Sequence, residues 1–90
     1  MVQLKLGLTS LTDSSLATKV EQLRPFAQDH NTINITAKGT EPENPGVTFV
    51  TFEFDVAGDE VYQELGRLCV RWLDEREESG VMGYGLNRYC

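Results

Sequence analysis

Histidine occurs once in this chain and cysteine twice, and each scarcity closes off a class of chemistry. One histidine and two separated thiols make no ligand cluster, so no metal is expected. Two cysteines are too few for a disulfide framework in 90 residues. Cys69 falls on a helical apolar stripe, as a small buried thiol does. Cys90 ends the chain, and spacing leaves open whether the two pair. Long apolar runs are also missing: nothing approaches the roughly 20 residues of a membrane-spanning helix. The opening Met1-Val2-Gln3-Leu4-Lys5-Leu6 alternates and has no basic leader region. A reduced, cytoplasmic protein with no membrane association is therefore expected.

Bases are scarce too. Lys and Arg total 8 against 14 Asp and Glu, a net charge of −6. That sign repels phosphate backbones at long range and suits a basic partner. The imbalance is local, because residues 46–90 hold four bases and nine acids, against four and five in residues 1–45. With 40% hydrophobic and 24% charged residues, the composition is that of a globular protein. Residues 1–90 are expected to form a single α+β domain.

Two periodicities organise the chain. Val2, Leu4, Leu6 and Leu8 alternate with Gln3, Lys5 and Gly7, which predicts a first strand. Ser10-Leu11-Thr12-Asp13 matches a capping box, and Leu16, Val20 and Leu23 follow at helical spacing. Pro25 should end that helix near Arg24. Thr32 to Lys38 alternates again, and Gly39 to Gly46 reads as a loop with two prolines and two glycines. In Gly46 to Asp55, Val50, Phe52 and Phe54 share one face with Val56 beyond. Val47, Phe49, Thr51, Glu53 and Asp55 share the other. Asp59 should cap a second helix carrying Val61, Leu65, Leu68, Cys69 and Trp72, with Gly80 as its left-handed stop. Met82 to Tyr89 reads as a short, glycine-weakened last strand.

The order βαββαβ implies a ferredoxin-like sandwich: a four-stranded antiparallel sheet with two helices on one face. That topology puts the first and third strands in the centre, and they carry the strongest apolar faces. Gly46-Val47-Thr48-Phe49-Val50-Thr51-Phe52 resembles the end of the glycine–aromatic octamer on the third strand of the RNA recognition motif. Leu4-Lys5-Leu6-Gly7, with Thr12-Asp13, Leu16 and Val20 behind it, is similar to that family's first strand and helix. The resemblance implies the same fold and a sheet face that stacks single-stranded RNA bases on aromatic side chains. Lys5 stands where the family places its first-strand aromatic. Val47 replaces the first octamer aromatic and Pro45 the leading base, so Phe49 is the stacking position retained. Each stacked base is worth ~1–3 kcal/mol, so the substitutions remove most of such a platform.

Two surfaces are left as candidates. Asp74, Glu75, Glu77 and Glu78 crowd the expected last turn of the second helix, where the helix dipole disfavours acids. They are the expected docking patch for a basic protein partner, one with a nucleic-acid-handling surface. The alternative is the open sheet face with Lys5, Phe49, Lys38 and Tyr84, as a single-stranded RNA binder or a small-ligand-binding regulatory domain. His30 follows Asp29, but adjacent residues rarely face each other and no nucleophile motif accompanies them. Gly83-Tyr84-Gly85 does not open a helix after a strand, so it is no dinucleotide loop. The expectation is a non-enzymatic, cofactor-free interaction module, an inhibitor or regulator that occupies a basic, nucleic-acid-handling surface.

Overall fold

The computed structural model describes residues 1–9, 11–28, 33–56 and 58–88, with Glu41 described through its backbone alone. The expectations for Ser10, Asp29, His30, Thr32, Tyr89 and Cys90 lie outside these residues. The chain runs β1 (Val2–Thr9), α1 (Asp13–Leu23), a 3-10 turn (Arg24–Phe26), β2 (Asn34–Glu41), β3 (Asn44–Phe54), α2 (Asp59–Asp74), α3 (Arg76–Ser79) and β4 (Val81–Arg88). The strands form one sheet in the order β2-β3-β1-β4, and every neighbouring pair is antiparallel. The result is an α+β domain with a four-stranded antiparallel sheet and two main helices.

Alternation in β1 and β3 becomes one shared face. Val2 pairs with Phe54, Leu4 with Phe52 and Leu6 with Val50, and none of the six is more than 1% exposed. Directly opposed residues project to the same side of a sheet, so these three pairs form a continuous apolar floor. Leu23 and Ala27, from α1 and the segment after it, close over that floor together with Leu65, Cys69 and Trp72 from α2. Leu16, Val20, Phe26, Tyr62 and Leu68 fill the margins.

The boundaries show where local chemistry decides. Thr12 caps α1: its hydroxyl accepts from the Ser15 N–H at 3.1 Å, and the Ser15 hydroxyl accepts from the Thr12 N–H at 2.9 Å. The capping box is thus Thr12 to Ser15, two residues later than the Ser10 start. Pro25 acts as expected, for α1 stops at Leu23 and the chain tightens into the 3-10 turn. Gly80 does take the left-handed conformation (φ 74), and its carbonyl accepts from the Thr9 N–H at 2.9 Å. Asp59 is the first residue of α2 rather than its cap, which is Gly58.

Two stretches depart from the expected pattern. The supposed loop from Gly39 to Gly46 is mostly strand: β2 reaches Glu41, β3 starts at Asn44, and Pro42-Glu43 makes the turn. Pro45 and Gly46 are absorbed where the register shifts between Thr40 and Glu41. A proline at a turn's second position presets the bend, so the strands can run on to meet it. The second departure is a bulge between Ile35 and Ala37, discussed below.

Cys69 is fully buried, and burial pushes its thiol up to about 12. A neutral thiol under a closed core does not react as a nucleophile. The Cys69 peptide should stay unlabelled by maleimide at mild alkaline pH and label fully in urea. Peptide mass spectrometry reads this, and rapid native labelling would contradict the packing.

Candidate functional site

The acidic cluster sits on a corner. Asp74 closes α2, and Glu75 leaves helical geometry (φ −103, ψ 34). Glu77 and Glu78 fall in the first turn of α3. The expected crowding at the last turn of one helix is therefore corrected, because the break moves three of the four acids off the negative end of α2. Side-chain chemistry fixes the corner. The Ser79 hydroxyl donates to the Trp72 carbonyl at 2.6 Å and accepts from the Val81 N–H at 3.1 Å, tying the end of α2 to the start of β4. Leu73, Asp74, Glu75, Arg76, Glu77 and Glu78 line a concavity of about 420 Å³. All four carboxylates are exposed. Among the described residues none of them enters an ion pair, whereas Glu21, Glu64 and Asp59 pair with Arg24, Arg67 and Arg88.

The four residues of the alternative site are not brought together. Lys5 and Phe49 do meet on the face away from the helices, with the Lys5 ammonium 4.7 Å from the Phe49 ring centroid. Lys38 does not join them. The bulge at Thr36 shifts the phase of β2, so Ala37 opposes Thr51 and Lys38 opposes Val50, on the core side of β3. Tyr84 is likewise corrected: it opposes Leu6, whose side chain is wholly buried on the helix side. Among the described residues, the open face of the central strands offers one aromatic, Phe49, and one base, Lys5.

Phe49 also has a packing role. A Cβ built on Gly7 would lie 3.1 Å from Phe49 Cε1 and 3.3 Å from Val47 Cγ1, so ring and valine lie over bare backbone. Covering a strand glycine with a cross-strand aromatic restores packing that the missing side chain would have supplied. Lys5, Gly7, Phe49, Gly83, Tyr84 and Gly85 border a shallow trough of about 260 Å³. Gln3 and Glu53 share a hydrogen bond of 3.4 Å further along this face, where the carboxylate opposes phosphate.

Sequence reasoning passed over Lys19. It lies in α1 between Leu16 and Leu23 at three- and four-residue spacing, and it is only 7% exposed. Its ammonium stands 4.6 Å from the Trp72 ring centroid and reaches the Gln22 side chain at 3.5 Å. That spacing, a lysine on an apolar stripe, was the available signal. A desolvated cation over an indole is worth about 2 kcal/mol, and here it joins α1 to α2. Burial lowers the Lys19 pKa from 10.5. Among the described residues no group of three His, Cys, Asp or Glu side chains could hold a metal, and no helix is long and apolar enough to cross a membrane.

Comparison with protein-family models, with curated proteins and with solved structures gave no match to this chain.

Gly7→Val should push Phe49 aside and cost ~1–3 kcal/mol. Adding Phe49→Ala should remove most of that penalty, a coupling that a double-mutant cycle in urea measures. Lys19 gives a signed pH effect. Its folded pKa is lowered, so between that value and the ordinary one the unfolded chain binds more protons, and stability rises with pH. Lys19→Met should flatten this rise when unfolding midpoints are compared from neutral pH to pH ~10.4, the ordinary lysine value.

Proposed function

We propose that this protein is a small non-catalytic interaction module whose acidic corner docks on a basic surface of a partner protein. The observation that carries the reading is the corner itself. Four exposed carboxylates surround a concavity with Arg76 among them, and none enters an ion pair among the described residues. Carboxylates left unpaired on a fixed turn supply a directed field at little ordering cost, which favours fast, salt-sensitive association with a cationic surface. A partner that handles nucleic acid fits this chemistry, because its basic groove would accept the acidic corner in place of phosphates. The protein would then act as an inhibitor or regulator. A reduced, cytoplasmic setting belongs to the same reading.

The fold assignment that goes with it is the ferredoxin-like sandwich. It is supported by the chain order, by β1 and β3 at the centre of the sheet, and by one core shared with both helices. RNA binding by the open face is the lesser reading. It keeps the Lys5–Phe49 pair in its favour, but Lys38 and Tyr84 are turned to the other face and Glu53 lies along the same one. For small-ligand binding the trough beside Phe49 is the candidate seat.

Reversal of Asp74, Glu75, Glu77 and Glu78 to lysine should cut capture of the native partner from host lysate about tenfold or more. Reversal of Asp13 and Glu43, acids on other elements, should leave it within about twofold. Wild-type capture should also fall as salt rises. Retention that is indifferent to salt and to the corner variants would remove the corner from the interaction.

A further inference from the structure

The two edges of the sheet are built differently. β2 is blunted: it carries the bulge at Thr36, presents Lys38 and stops at Glu41, just before Pro42. Bulges, lysines and prolines are the usual devices that stop an edge from pairing with another strand. β4 is more regular: its one register shift falls at its start, opposite Gly7 and Leu8, and Gly83 to Arg88 run in unbroken register. From Val81 to Arg88 it contains no proline, no lysine and no acid, and among the described residues no strand covers its outer edge. Alternate residues of such an edge turn their N–H and C=O groups outward, where only water or another strand can satisfy them.

Side chains beside β4 point the same way. Val70, Met82 and Tyr84 are exposed apolar residues at 47%, 50% and 37%. Gln63, Gly66, Arg67, Val70 and Tyr84 line a groove of about 480 Å³ between α2 and this strand. Three glycines there lack an internal reason. A Cβ on Gly66, Gly83 or Gly85 would meet nothing within 4 Å, unlike Gly7 under its phenylalanine or Gly80 with its positive φ. Glycine inside a helix or strand is destabilising by roughly 0.5–1 kcal/mol relative to alanine, and in a strand it often marks close approach by another backbone.

We propose that β4 pairs antiparallel with β4 of a second copy about a two-fold axis, giving a continuous eight-stranded sheet with the two α2 helices side by side. Charge selects the occupant. The chain carries −6, yet the groove residues include no acid, and the bases here, Arg67 and Arg88, are held by Glu64 and Asp59. A copy therefore meets little repulsion at this edge, and a basic partner finds nothing to attract it. Geometry selects the mode. Antiparallel self-pairing continues the alternation of the sheet and satisfies both β4 edges at once. Pairing of β4 with β2 of another copy would leave edges free to propagate, and the bulged β2 resists it. The dimer is independent of the acidic corner and stands whether or not the corner binds a partner.

Sedimentation equilibrium of the full chain across the micromolar range tests this. The wild type should reach twice its monomer mass. Val70→Lys and Tyr84→Lys, checked as folded by circular dichroism, should each raise the dimer dissociation constant about tenfold or more. Ile35→Lys, at the opposite edge, should change it less than about threefold. Amide exchange on the wild type gives a readout free of folding effects: outward amides of β4 should slow as concentration rises. A chain that stays monomeric, a dimer indifferent to Val70→Lys and Tyr84→Lys, one broken equally by Ile35→Lys, or concentration-independent exchange in β4 would overturn the proposal.

Discussion

The structure depends on the register between its two central strands. Leu4 opposite Phe52, with Val2–Phe54 and Leu6–Val50 on either side, commits six buried side chains to one face. A slip of one residue would turn one strand's three core side chains to the opposite face, so the core enforces the pairing more strictly than backbone hydrogen bonds do. Both helices rest on this floor. The other face is then whatever lies between: Gln3, Lys5, Gly7, Phe49, Thr51 and Glu53. Its chemistry is a residue of the register, and the aromatic in it serves first as the cover of Gly7.

Much of this was legible from the residues. Alternation in β1 and β3 locates the core face, Pro25 marks the end of α1, and Gly80 marks the start of β4. Each is a strong local signal that tertiary packing supports. Other features left no local trace. Nothing in Asp74-Glu75-Arg76-Glu77-Glu78 breaks a helix; the break belongs with Ser79 capturing the Trp72 carbonyl, a contact seven residues long. The bulge at Thr36 depends on how β2 meets β3, and no propensity of threonine announces it. Since one extra residue reverses every later side chain, it separated Lys38 from Phe49. Tyr84 went astray for a similar reason, because the phase of β4 is set by its pairing with β1, which shifts between Gly7 and Leu8.

Charge and apolar surface are segregated on this small domain. Four carboxylates without a described ion pair gather at the corner before β4, the exposed Val70, Met82 and Tyr84 lie on or beside β4, and the open face holds a mixture too balanced to favour either. A basic surface and a second copy would therefore meet different parts of the molecule. The two contacts do not compete for residues, and a dimer would present two acidic corners at opposite ends of a shared sheet, since α2 and β4 run in opposite directions.

Trp72 is the only tryptophan in the chain. It is 4% exposed, within the helix layer, with the Lys19 ammonium over its ring. The protein thus carries one optical reporter, and its position decides what that reporter can see. Separation of α1 from α2 would change its emission at once. A molecule resting on Phe49 lies across the full thickness of the sheet and would pass unnoticed, so a silent tryptophan says nothing about whether the open face is occupied.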